Sequence, residues 1–201
     1  IGGIGLKSNI ATDFCLVVGI LIMKTTILSF LLIFCAVYTA AQTDYYTETK
    51  TFQENGYTYQ CDVLTGERVR LYNKENNLVY VRQIFKDTKE VPGFGFDFDD
   101  VVEETWTRPK SLSIVNNAFT AEQKQRMGTE SVGICMYISP ETGKVVEVAF
   151  HFTTVSPFAT IPLSVYRKIE VELKQQIWFT PTKDGKRLNH LIRYWRHRFK
   201  E

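Results

Sequence analysis

Few side chains in this sequence are spaced to make or break bonds. Three histidines occur, His151, His190 and His197. They stand in no His-Glu-x-x-His pattern, no Cys-x-x-Cys accompanies them, and no carboxylate lies at ligand spacing, so no metal site is expected. No Gly-x-Ser-x-Gly is present, and Ser131 and Ser156 lack the strand-to-helix setting of an exposed nucleophile. A Cys135/His151 dyad is conceivable, because a hairpin would set the two on adjacent strands. An interior thiol near a surface imidazole accounts for the same residues with fewer demands.

Carboxylates gather once, at Asp97, Asp99, Asp100, Glu103 and Glu104, behind Gly93-Phe94-Gly95. This Gly-x-Gly is no nucleotide loop, since no strand leads into it and no third glycine opens a helix. The acids lack the spacing and closing Glu of a calcium loop, and a solvated acidic loop with its Phe residues packed on the body is the simpler reading. Cations gather at the other end: Lys183, Lys186, Arg187, Arg193, Arg196, Arg198 and Lys200 interleave with Tyr194, Trp195 and His197. Such a stretch is either a basic aromatic contact surface or a charged edge strand that discourages unwanted sheet pairing.

Composition frames these clusters. The 201 residues are 44% hydrophobic and 23% charged, as in an ordinary globular chain, and the formal net charge of +2 offers no global field for nucleic acid. Met23 and Lys24, the apolar run Ile27 to Val37 and the small residues Thr39-Ala40-Ala41 have the layout of a secretory leader over 23–41. Residues 1–22 then read as an upstream extension, and an uncleaved anchor is the competing reading of the apolar stretch. Cys35 follows a bulky Phe, unlike a lipoprotein box. Cys61 and Cys135 remain beyond the leader, where an oxidising compartment permits a disulfide between them, with two buried thiols as the competing reading.

The elements that would carry these residues follow from periodicity. Residues 57–63, 69–72 and 78–85 are rich in aromatic and β-branched residues between polar turns, which predicts a three-strand meander after a polar lead-in at 42–54 that is either frayed or an entering strand. Residues 110–127 are helical in pieces, with Ser111 or Thr120 as N-cap; Thr120-Ala121-Glu122-Gln123 has capping-box spacing and Gly128 ends the run. Ser131 to Ser139 and Lys144 to Val155 alternate about a Pro140–Gly143 turn, which predicts a hairpin. Leu163 to Ile177 has an amphipathic helical repeat, and Arg187 to Phe199 reads as a closing strand whose apolar positions also fit a helix. The division is therefore a β-rich region with an irregular acidic loop at 42–110 and an α+β domain at 111–201.

From about Ala121 to Phe199 the chain resembles the C-terminal domain of TonB-type energy transducers. The resemblance rests on the hairpin around Glu141-Thr142-Gly143-Lys144-Val145, the following helix, and Trp178-Phe179-Thr180-Pro181 with its turn before the last strand. It implies a β-β-α-β order, an antiparallel sheet with one main helix packed on it, preceded here by the meander. Residues 42–110 do not resemble a transducer, and no Pro-rich spanning linker is present. The overall plan looks more like a secreted envelope family of unknown function.

The reading that follows is a secreted, non-catalytic protein, periplasmic or outer-membrane-associated, without cofactor or metal. It would bind a protein or peptide partner by β-augmentation along Arg187–Phe199, with Arg187, Arg193, Trp195, His197 and Phe199 at the edge. Self-association through the same edge fits equally; nucleic acid and stable membrane insertion after leader removal are not expected. The alternatives are an enzyme on envelope polymers using the 97–104 loop, or a structural subunit of an envelope assembly.

Overall fold

A computed structural model describes residues 44–92, 99–102 and 104–199. The extension at 1–22, the leader at 23–41, Asp97, Glu103 and Lys200 lie outside the described residues. Strand β1 (Lys50–Glu54) turns into β2 (Tyr57–Leu64) at Asn55-Gly56, whose φ angles of 48° and 80° suit a two-residue turn that favours Asn-Gly. β3 (Arg68–Asn73) follows, β4 (Val101–Val102) is a short ribbon strand, and helices α1 (Thr107–Ala118) and α2 (Ala121–Met127) lead to the hairpin β5 (Ser131–Ile138) and β6 (Val145–Thr153). Helix α3 (Leu163–Gln176), β7 (Thr180–Pro181) and β8 (Leu191–Arg198) complete the order. Six strands form one antiparallel sheet in the order β1-β2-β3-β6-β5-β8, and β4 pairs with β7 apart from it.

Alternation decides what packs beneath α3. The helix buries Leu163, Tyr166, Ile169 and Leu173, and the sheet answers with Val132, Ile134, Met136, Val148 and Phe150 in the same core. One acid lies in that stripe. Glu170 has no exposure, and its carboxylate accepts from the Tyr59 hydroxyl on β2, Asn73 Nδ2 at 3.4 Å on β3 and Arg167 Nη1 at 3.0 Å, with Lys174 Nζ at 3.6 Å. The predicted capping box is present at α2: Gln123 N–H donates to Thr120 Oγ1, and Thr120 N–H to Gln123 Oε1. Ser111 is no cap; it is buried within α1.

The expected third meander strand needs correction. Residues 78–85 form no strand, because β6 already occupies the side of β3 where a third meander strand would pair. The segment crosses the outer face of the sheet instead. Glu147 accepts from the backbone N–H groups of Asn77 and Leu78, Val79 packs with Cys135, Tyr137 and Ala149, and Gln83 Nε2 donates to the His190 carbonyl at 3.0 Å. The regions at 42–110 and 111–201 consequently share one sheet through the β3–β6 pairing. Of the two readings of the lead-in the entering strand is the one found, as β1, and the residues before it are held as well: Tyr46 is fully buried against Phe52, Phe152 and Tyr166 and donates to the Ile161 carbonyl.

The Cys61–Cys135 disulfide is excluded by geometry. Register carries Cys61 across to Leu71, Phe150 and Ile134, so Cys135, the next residue, points to the opposite face. The two cysteines also sit three strand spacings apart, roughly 14 Å, beyond disulfide reach. Both are free and buried.

The hairpin glycine and the Trp178–Pro181 signature meet. Gly143 has φ 72°, a Cβ there would run into the Phe179 carbonyl, and Phe179 N–H donates to the Gly143 carbonyl at 2.8 Å. Phe179 is buried, while Trp178 is 53% exposed and leans on Trp106 with ring centroids 4.4 Å apart. Gly143→Ala combines a left-handed backbone penalty with overpacking and should cost about 2–4 kcal/mol in urea unfolding. A loss within error of zero would contradict the contact. Glu170→Ala leaves the Tyr59 hydroxyl and two cations without their carboxylate, and should cost about 2–4 kcal/mol by the same measurement. Wild-type stability in that variant would show the cluster to be incidental.

Candidate functional site

β8 ends the sheet, and along its whole length it pairs with β5 in unbroken register, from Ser131↔Arg198 to Ile138↔Leu191. Among the described residues no strand pairs with its other side. A strand with one neighbour leaves half of its backbone donors and acceptors for other partners.

The side chains expected at this edge divide by alternation. Trp195 and His197 lie opposite Ile134 and Val132, on the helix face. Trp195 is half-buried beside Phe179, and His197 is buried with Nε2 3.2 Å from Asn116 Oδ1 on α1. Phe199 is buried against Phe119, Phe158 and His197. Arg193, on the same face, is ion-paired with Asp100 at 2.7 Å. Arg187 precedes the strand in a short turn, paired with Asp87 at 2.9 Å and stacked 4.7 Å over Phe85. The structure thus places none of the five as an open edge contact. Tyr194, Arg196 and Arg198 take that position: all three are exposed, on the face away from α3. A strict period of two beginning at buried Leu191 could have separated the two sets.

The acidic loop serves the fold. Asp100 is buried, holds Arg193, and accepts through its carbonyl from Thr182 N–H. The Asp99 carbonyl accepts from Thr182 Oγ1 at 2.6 Å, and Glu104 accepts from Thr180 Oγ1 at 2.7 Å. These bonds fasten β4 to β7 and leave Asp100 and Glu104 engaged. Among the described residues, no group of three or more His, Cys, Asp or Glu could hold a metal ion.

Cys135 and His151 share the outer face but are diagonal neighbours, since Cys135 pairs with Ala149 and His151 with Gly133. Burial raises the Cys135 thiol, while burial and the Arg70 guanidinium push His151 down to about 4. A protonated thiol beside a neutral imidazole lacks the ion-pair character of an activated nucleophile. Cys61, pushed up to about 12 by burial, is equally unreactive. His190 is fully enclosed and lowered by desolvation. His197 is pushed down to about 4 by burial, with a smaller contribution from Lys124.

These shifts have a stability consequence. His151 and His197 bind protons less readily folded than unfolded, so the unfolded chain gains more protons as pH drops below about 6.5. Stability is full above that value and falls through the window down to about pH 4, where the folded groups titrate. The thermal midpoint should therefore decline between about pH 6.5 and about 5, and less steeply in His151→Gln. A level midpoint across that interval would contradict the burial of these imidazoles.

Comparison with known proteins was informative on kinship. A family model described as a domain of unknown function, DUF5043, matches residues 42–195. A solved structure of a DUF5043 family protein from Bacteroides uniformis ATCC 8492 is 41% identical, with a TM-score of 0.74 over 78% of this chain and 94% of that chain. No curated protein matches. With most of its length matched by the family model, and a family member sharing its fold, this chain belongs to the DUF5043 family.

Proposed function

We propose that this chain is a secreted, non-catalytic envelope protein that binds an extended acidic peptide by adding it as a strand beside β8. The observation that carries the reading is the terminal position of β8, eight residues long and regular against β5. Backbone hydrogen bonds would supply affinity. Selectivity would come from Arg196 and Arg198, which are exposed and have no ion partner among the described residues. The neutral imidazoles and buried thiols support binding over catalysis. The likeness of residues 121–199 to TonB-type C-terminal domains belongs to the same proposal; the β5-β6-α3-β8 order and the contact between Gly143 and Phe179 support it. Secretion follows from the leader read at 23–41.

The test is fluorescence anisotropy with an eight-residue peptide of alternating Glu and Val. The expected result is saturable, salt-sensitive binding, weakened about five- to tenfold in Arg196→Glu/Arg198→Glu. Equal affinity for a peptide with Lys in place of Glu would overturn the reading. Concentration-dependent dimerisation lost in the same variant would replace the peptide with a second copy of this chain.

A further inference from the structure

A second feature lies inward of the edge and does not rest on the edge reading. The antiparallel registers set Asp62, Arg70, His151, Gly133 and Arg196 in one line across β2, β3, β6, β5 and β8, on the face away from α3. Arg68 stands one pleat along from Arg70, opposite Thr153. Around these residues the outer face sinks into a cavity of about 430 Å³. That volume falls within the range of small-molecule sites, about 300–1,000 Å³.

Gly133 leaves the middle of the line without a side chain, and the Tyr194 phenol takes that space. A Cβ there would collide with the Tyr194 hydroxyl and ring, so Tyr194 lies across the glycine as a side wall, edge-to-face with His151 at 5.7 Å. The charge in the cavity is one-sided. Arg68, Arg70 and Arg196 line it against one carboxylate, Glu130. Asp62 stands directly opposite Arg70 but makes no ion pair with it among the described residues: its oxygens accept from Gln60 Nε2 at 2.9 Å, Tyr72 OH at 3.0 Å and the Tyr80 hydroxyl. Arg70 instead stacks 4.7 Å over the Tyr80 ring, and its Nε is buried with no hydrogen-bond partner. A buried guanidinium donor left unused, among like charges, is an electrostatic cost that a bound anion would offset. The remaining polar lining, Ser131, Thr153 and Ser156, offers hydroxyls.

We propose that this cavity binds a small organic anion, a carboxylate or phosphate carried on a polyol such as a sugar acid or sugar phosphate. Arg70 and Arg196 grip the anionic group from opposite sides, because a planar guanidinium fork matches either oxyanion. Tyr194 and the hydroxyls contact the polyol. His151, flanked by Arg70, Arg196, Tyr194 and Cys135 and uncharged at neutral pH, is available as a neutral hydrogen-bonding group and as a reporter.

The experiment is titration of the full chain with glucuronate, glucose 6-phosphate, glucose and inorganic phosphate, followed by calorimetry and by the His151 ring resonances. The expected result is saturable binding of glucuronate or glucose 6-phosphate, whichever binds naming the oxyanion, with no binding of glucose. Arg70→Gln and the surface substitution Arg196→Gln should each weaken it about tenfold, the scale of one charge-assisted bond. The His151 titration should move upward on binding, since an anion opposes the field of Arg70. The proposal is overturned if no probe binds, if glucose or inorganic phosphate alone binds as well as the sugar anions, or if an Arg70→Gln chain with a native melting curve binds like the parent. Arg70 lies three strands in from β8, so its substitution should leave peptide binding at the edge intact. Failure here and failure at the edge are separately visible.

Discussion

A buried carboxylate holds this fold together. Glu170 on α3 takes hydrogen bonds from β2 and β3 and charge from its own helix, so it cannot be satisfied unless the first three strands lie under the same helix as the last three. The apolar contacts around it are non-directional and would tolerate sliding. The carboxylate sets register, because moving β2 by one residue would turn Tyr59 to the outer face and leave Glu170 short of a donor. The arrangement also explains why the β-rich start and the α+β remainder form a single sheet, with β3 pairing β6.

That joining has a consequence on the opposite face. Once β3 lies beside β6, Arg68 and Arg70 are brought to the same surface as Gly133 and Tyr194, residues more than 60 positions away in the sequence. The loop at 74–85 covers one end of this surface, with Val79 over Cys135 and Tyr137 and with Tyr80 against Arg70, and the cavity lies beside it, from Arg70 past His151 and Gly133 to Arg196. The hollow is thus a product of topology. No local motif encodes it, and its charge comes from two strands, β3 with Arg68 and Arg70 and β8 with Arg196.

Local periodicity carried most of the elements and little of the site. The β5–β6 hairpin, the capping box at Thr120 and the amphipathic α3 were legible because each is specified by neighbours within four residues, whereas the closing segment fitted strand and helix alike until its pairing with β5 decided it. Residues 78–85 misled because Leu78, Val79, Val81 and Ile84 are apolar enough for a strand, while the vacancy they needed beside β3 was taken by a strand 60 residues on. Tyr46 hid in a polar stretch, its burial set by Phe152 and Tyr166. The edge residues failed for a different reason. Reading a basic aromatic run as one surface ignores that a strand has two, and parity sends Trp195 and His197 inward while Arg196 and Arg198 go out.

β8 therefore serves three environments at once. Its helix-facing residues close the core, with Arg193 spending its charge on Asp100 to secure the β4–β7 ribbon. Its outer-facing residues wall the arginine hollow, and on its other side no strand pairs with it among the described residues. Arginines at 196 and 198 discourage unwanted pairing at an edge strand, and these two charges bias the edge, and Arg196 the hollow, toward anions. The two proposed sites share Arg196 but differ in geometry: an added strand must run parallel to the β8 axis, whereas the hollow runs across the strands to Arg70. A ligand lying across the sheet and a peptide lying along its margin would meet at that one guanidinium, so occupation of either should raise the cost of bringing a second anion to the other.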